Sequence, residues 1–200
     1  MPRTYTLTVQ SVLTSARFLI ADKRSDMGLR NTDAELIACL NDALNAMVGV
    51  LPGLFTSIAP FTCVAGYLQV LESTRAVIFL GVVGVPQGDA MTLAQFSPSW
   101  MTATTQGEIA EYMAVEGDPL RFMVYPPSVA GQAVVVRMVV SPEPLVAVTD
   151  KVPVPENYAP ALAEYVAGRT DMQEDEAAVS GRASQLMNRF LSSVKVLSTA

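Results

Sequence analysis

Helical periodicity stands at both ends of this chain and is lost between them, which constrains the fold more than any other feature. After Pro153 and Pro155, Tyr158, Leu162, Tyr165 and Val166 form an apolar stripe with Ala159 and Ala163 beside it. An acidic break over 171–176 follows, and Ala177, Ala183, Leu186, Met187, Phe190, Leu191 and Val194 then give a second helical segment. At the other end Val12, Ala16, Leu19 and Ile20 share a helical stripe, and polar residues 23–30 read as a loop. Thr32-Asp33-Ala34-Glu35 is a capping box: the Thr32 hydroxyl accepts from the Glu35 amide and Glu35 reaches back to the Thr32 amide. Leu36, Ile37, Leu40, Ala43, Leu44, Met47 and Val48 follow at helical spacing until Pro52-Gly53. The opposite face, Asn41, Asp42 and Asn45, reads as a solvated polar face or a subunit contact.

From about Phe61 short β-prone runs alternate with Pro and Gly: 61–70, 76–83, 91–93, 111–115, 121–125, 133–140 and 145–148. Phe122 and Val124, and Val134, Val136, Met138 and Val140, alternate as residues on one buried sheet face do. The spacing predicts a hairpin of 121–125 with 133–140, its loop running from Pro126 to Gln132. The expected fold is α+β: a helical bundle from the N- and C-terminal helices with an inserted antiparallel β-sheet or sandwich region. The expected boundaries are 1–58 and 151–200 for the bundle with its C-terminal tail, and 59–150 for the β insertion. The single tryptophan, Trp100 in Ser97-Pro98-Ser99-Trp100, reads as a packing anchor or as an interface anchor.

Half of the residues are apolar and only 16% are charged. Mean hydropathy is +0.34. A monomer so poor in charge has difficulty covering its surface, so burial of part of it in other subunits is expected. The net charge is −6 and the 13 basic residues are scattered, which argues against specific nucleic-acid binding. Cys39 and Cys63 are too few for a disulfide framework and read as free thiols. The first residues lack the apolar core of a secretory signal, and the apolar run 76–85 is too short to span a bilayer and stops at Pro86. A soluble protein made in a cytoplasm is expected. There is no histidine, and no nucleophile elbow, phosphate loop or dinucleotide fingerprint. Asp171, Glu174, Asp175 and Glu176 lack the alternation of a calcium loop and read as a solvated helix-start cluster. No catalytic residue, metal site or cofactor is expected, and no enzyme.

Taken in order, several motifs resemble the adaptor proteins of short-tailed phages, the tail tubular protein A or head-to-tail connector family. They are SVLTSARFLIAD, then Asn31-Thr32-Asp33-Ala34-Glu35-Leu36-Ile37 and Leu40-Asn41-Asp42-Ala43; Pro52-Gly53-Leu54-Phe55; the element around Trp100; Leu120-Arg121-Phe122 through Val124-Tyr125-Pro126-Pro127; and Val152-Pro153-Val154-Pro155-Glu156-Asn157-Tyr158 leading into Leu162-Ala163-Glu164-Tyr165-Val166. Asn31 stands where that family usually has an aromatic, and Gly168-Arg169-Thr170 replaces a more apolar run.

The resemblance implies a structural virion protein of the tail or neck, made in the host cytoplasm. It would form a ring, commonly of twelve copies, below the portal protein, extend the DNA channel and dock the tail nozzle or tube. DNA would pass without sequence-specific binding, and no membrane would be involved. The candidate portal or subunit interface is Phe190, Leu191, Val194, Val196 and Leu197, and the terminal segment 192–200 is expected to fold on binding. Two other readings stand beside this one. One is a head-completion or neck protein of a longer-tailed phage. The other is a small-molecule-binding β domain with helical caps, which would need a pocket with convergent polar groups.

Overall fold

The computed structural model describes residues 5–22, 30–96, 99–102, 104–173 and 177–198. The chain forms two compact units, Met1–Leu54 with Pro142–Ala200, and Phe55–Ser141. It is mixed α+β, with five helices and two three-stranded antiparallel sheets among the described residues.

The first unit is helical: α1 (Val9–Leu19), α2 (Asp33–Val50), α4 (Ala159–Met172) and α5 (Ala177–Ser198), with α3 (Ala90–Phe96) belonging to the second unit. Helix α1 starts at Thr8, whose hydroxyl accepts from the Ser11 amide at 3.3 Å. Two more of its unpaired first-turn amides, Val9 and Gln10, donate to the carbonyls of Asp150 and Val148 at 3.0 and 2.9 Å. The segment returning from the second unit thereby caps the first helix. That use explains why 145–148, expected as a strand, is a turn instead. The Val146 and Ala147 amides donate to the Asp150 carboxylate at 2.8 and 2.9 Å, and the Asn41 side chain pairs with both backbone groups of Leu145 at 3.0 and 2.9 Å. Asn41 is thus a tertiary clasp rather than part of a solvated face, while the neighbouring Asp42 faces Arg169 at 3.8 Å.

Helix α1 ends in a Schellman arrangement, the Asp22 amide reaching the Arg17 carbonyl and the Ala21 amide the Phe18 carbonyl at 2.9 and 3.3 Å. The left-handed residue this requires is Ala21, with φ 54°. The turn delivers the buried Asp22 carboxylate to the start of α2, where it accepts from the Arg30 and Asn31 amides at 2.9 and 3.3 Å and from Arg17. Arg17 also donates to the Asn31 carbonyl and to Asp33, at 2.8 and 2.7 Å. Burial works to raise the Asp22 pKa, yet the two amides, the Asn31 side chain and Arg17 together hold it below the ordinary carboxylate value. A polar clasp therefore occupies the position where an aromatic would have given an apolar anchor. Of the loop read over 23–30, only Arg30 lies within the described residues. The capping box of α2 is present as expected.

Helix α4 packs against α1, α2 and α5. Its buried positions are mostly small, Ala161, Ala163, Ala167 and Gly168 around Leu162 and Val166. The closest approach is at Gly168, where an added Cβ would lie 3.1 Å from Leu186 Cβ, 3.2 Å from the Ala183 carbonyl and 3.3 Å from Met187 Cγ. The helix runs on to Met172, so Gly168-Arg169-Thr170 is an interhelical contact and not a helix end. Asp171 lies buried in its last turn, its carboxylate 3.5 Å from Arg182 of α5. It is not part of a solvated helix start, and Glu174, Asp175 and Glu176 lie outside the described residues.

The second unit holds sheets of order β1-β6-β3 and β2-β5-β4: β1 (Thr56–Thr62), β2 (Gly66–Val70), β3 (Ala76–Val82), β4 (Glu111–Ala114), β5 (Arg121–Ser128) and β6 (Ala133–Val140). The run 61–70 is split between two sheets at 63–65, and Gly66, the first residue of β2, takes φ 112°. The buried Gln69 fixes this crossing: it accepts from the Val64 amide at 2.8 Å and donates to the Val64 and Gly66 carbonyls and the Ser128 hydroxyl at 3.0, 3.1 and 3.0 Å. The expected hairpin of 121–125 with 133–140 does not form, because β5 pairs with β2 and β4 while β6 pairs with β1 and β3. Each is the central strand of its own sheet. The two sheets share a core in which Phe79 of β3 stacks on Phe122 of β5 at 4.2 Å, with Phe61 and Tyr112 edge-on to this pair. The run 91–93 is helical, within α3 (Ala90–Phe96), because Asp89 caps it by accepting from the Met91 and Thr92 amides.

Two substitutions probe the helical unit. Gly168→Val drives two methyls into α5 and should cost about 2 kcal/mol in urea unfolding followed by far-UV ellipticity. Ala21→Gly relieves the left-handed alanine and should raise stability by about 0.5–1 kcal/mol in the same measurement.

Candidate functional site

The residues singled out by sequence fall on α5 and around Trp100, and the structure separates them by burial. Along α5, Ala183, Leu186, Phe190 and Val194 form one inward stripe at helical spacing. Phe190 meets Tyr165 of α4 edge-to-face at 4.9 Å, and Val194 is fully enclosed. These two are core residues of the helical unit and are not presented to a partner. Leu191 and Val196 point outward, 41% and 67% exposed. Leu197 is half-buried, and its carbonyl accepts from the Tyr158 hydroxyl at 3.4 Å. Helix α5 continues to Ser198, so the segment expected to fold on binding is already helical over 192–198, anchored by Val194; residues 199 and 200 lie outside the described ones.

Trp100 is 1% exposed. It packs with Leu93 and Met113 and sits edge-on to Tyr67 at 6.0 Å, against the face of the β2-β5-β4 sheet turned away from Phe122. Residues 97 and 98 of its motif lie outside the described residues.

Sequence reasoning did not find a groove of about 500 Å³ between α1 and α4, lined by Phe18, Leu19, Ala159, Pro160, Ala163 and Glu164 among others. Phe18 is 83% exposed at its rim, the most exposed large apolar side chain described. The Glu164 Oε2 is buried without a hydrogen-bond partner. Burial raises the Glu164 pKa, and Arg189 offsets this only in part. The expected helical stripe of α4 implied that Glu164 lies beside it, but the groove depends on how α1 approaches α4, which no local pattern encodes. In the β unit a smaller depression is lined by Ile58, Val83, Tyr112 and Arg137 among others.

The groove offers apolar contact, the Glu164 carboxylate and the hydroxyls of Thr14 and Ser15, which donate to the Gln10 and Ser11 carbonyls of their own helix at 2.8 and 3.1 Å. Both thiols are buried and their pKa values are pushed up by that burial. Among the described residues no group of three or more Cys, Asp or Glu could hold a metal ion, and no helix is long and apolar enough to cross a membrane.

The sequence model of the SU10 adaptor protein family matches residues 7–200. No curated protein matches the chain. Among solved structures, a chain in the "neck of empty GTA particle computed with C6 symmetry" is similar over 92% of this chain and 93% of that one, at 16% identity and a TM-score of 0.28.

The Glu164 carboxyl gives a signed pH dependence. Its folded pKa lies above the unfolded value, so the folded state binds the proton more tightly and stability falls as pH rises through that window. Glu164→Gln should therefore raise the melting temperature of the dilute protein at neutral pH. The gain should vanish as pH drops below the ordinary glutamate value of about 4.3. A gain that persists at acid pH would show that charge is not its cause.

Proposed function

Because the chain belongs to the SU10 adaptor protein family, we propose that it is the head-to-tail adaptor of a tailed bacteriophage, built as a ring that joins the portal protein to the tail nozzle or tube. The observation that carries this reading is the extent of the family match, which runs through both compact units and nearly the whole chain. Copies of the chain, twelve in the arrangement its motifs resemble, surround and extend the DNA channel. The protein resides in the virion after synthesis in the host cytoplasm, and its role is structural.

Physical features of the chain support this role. With a net charge of −6 and pI about 4.6, it has little means of gripping the DNA that passes through it. Its exposed apolar side chains, including Phe18, Leu191 and Val196 on the helical unit and Ile58, Val83 and Val135 on the β unit, are surface that a ring subunit covers on assembly. Leu191, Val196 and the half-buried Leu197 remain the portal or subunit contact, held in place by Phe190 and Val194 beneath them.

The native mass decides the matter, measured alone and after mixing with the portal protein of the same phage. A mass near twelve times 21.4 kDa, or its sum with the portal, is expected. A monomer under both conditions overturns the ring. The double variant Leu191→Asp, Val196→Asp should keep the wild-type far-UV spectrum and lose at least about tenfold in assembly affinity. Truncation at Val194 is the wrong probe, because it opens the core.

A further inference from the structure

We propose that the depression of the β unit between Tyr112 and Arg137 is a carboxylate-binding site that receives a glutamate side chain from a neighbouring copy of the chain. This rests on the adaptor reading and deepens it by naming a contact through which one ring subunit holds the next.

Two unused donors meet at this site. Arg137 is exposed on β6 and Tyr112 is only 8% exposed on β4, and both line the same depression of about 380 Å³. Among the described residues, neither the Arg137 guanidinium nor the Tyr112 hydroxyl has a hydrogen-bond or ion-pair partner within the chain. The phenol is held in place from behind. Its ring lies edge-on to Phe79 at 5.5 Å, the Tyr112 amide donates to the Pro86 carbonyl at 3.1 Å, and the Tyr112 carbonyl accepts from the Gly88 amide at 2.8 Å. Gly81 leaves room for the hydroxyl, since an added Cβ there would lie 2.6 Å from its oxygen.

These donors set the class of ligand. A guanidinium presents paired N–H groups that match the two oxygens of a carboxylate, and a hydroxyl beside it donates one more hydrogen bond. The rest of the lining is apolar: Ile58 stands directly across from Arg137 in the β1–β6 register, and so on the same sheet face, and Val82, Val83 and Val85 complete it. One cation and one phenol among aliphatic side chains suit a singly charged carboxylate on a methylene stem, and are too few donors for a phosphate. A neighbouring copy supplies such a group. The net charge of −6 leaves carboxylates in surplus, and Glu72, Glu108 and Glu116 are exposed on the β unit with no hydrogen bond or ion pair in their own chain. Ile58 and Val83 are 63% and 51% exposed at the rim, so a docked chain covers apolar surface around the ion pair and shields it from salt. Site and glutamate are different patches of one surface, so their union is heterologous, the class of contact that propagates around a ring.

Charge reversal in the full chain tests the contact, read as native mass across a dilution series. Arg137→Glu should weaken self-association by at least about tenfold, and Tyr112→Phe, which keeps the ring and removes only the hydroxyl, by about threefold. Both variants should keep the wild-type far-UV spectrum, because Arg137 is exposed and the Phe79 contact needs no hydroxyl. In the Arg137→Glu background, one of Glu72→Arg, Glu108→Arg and Glu116→Arg should restore association to within about threefold of the wild type. A ring indifferent to Arg137→Glu, or one lost in that variant and restored by none of the three reversals, overturns this contact and leaves the adaptor reading standing. Arg137-dependent binding of acetate or inorganic phosphate by a chain whose assembly the variants leave unchanged assigns the site to a free anion, and overturns the contact as well. A chain that stays monomeric at every concentration, alone and with its portal, overturns both readings.

Discussion

Helix α4 can be enclosed by α1, α2 and α5 because the positions it buries are small. Interaxial distance is set by the side chains at the contact, and Ala161, Ala163, Ala167 and Gly168 let three helices approach a fourth closely. The rest of the helical unit serves this arrangement. Asp22 and Arg17 tie the end of α1 to the start of α2, Asn41 holds Leu145, and the carbonyls of Val148 and Asp150 cap α1 just before the chain enters α4. Arg182 of α5 donates to the Leu19 carbonyl at the end of α1 and faces Asp171 at the end of α4, so one guanidinium joins three helices. The clasps at Asp22, Asn41, Val148 and Asp150 satisfy groups that a helix end or a returning loop would otherwise bury unpaired.

The β unit meets the opposite requirement with large residues. Two sheets of three strands are too small to enclose much surface, and four aromatic rings from β1, β3, β4 and β5 fill the space between them. The chain must cross from one sheet to the other within three residues after β1. That crossing exposes backbone groups inside the unit, and Gln69 and Ser128 supply their partners.

These two solutions differ in how far they could be read from sequence. The helices were legible, because their amphipathic period and the Thr32–Glu35 box are local signals. Strand positions in the middle were largely legible too, from alternation at Phe122–Val124 and at Val134–Val140. Strand pairing was not. The nearness in sequence of 121–125 and 133–140 suggested a hairpin, but pairing is decided by distant partners, and the hydrogen bonds of β6 go to β1 and β3. The segment 91–93 misled for a related reason: its apolar run is too short to show a period, and the helix is set by the Asp89 cap. On α5 the inward stripe 183, 186, 190, 194 was written in the spacing and already separates Phe190 and Val194 from Leu191 and Val196. Treating the terminal segment as one apolar patch overlooked it. The groove at Glu164 had no local signal at all, since both its walls and the loss of water around the carboxylate arise from tertiary approach.

The burial of Phe190 and Val194 alters how a terminal contact would gain its affinity. A segment that orders on binding spends roughly 1–2 kcal/mol per residue of backbone freedom, and this is subtracted from whatever surface it covers. Helix α5 has already made that expenditure in folding, through the contact of Phe190 with Tyr165 and the enclosure of Val194. Two outward side chains on a preordered helix can then contribute most of their transfer free energy to association. A modest contact is sufficient where a closed assembly repeats it at every junction. In a contact between unlike faces, such rigidity would also fix the angle that determines whether successive subunits close or continue as a filament. In a contact made through α5, the buried half of the helix would therefore matter as much as the exposed half, although it touches no partner.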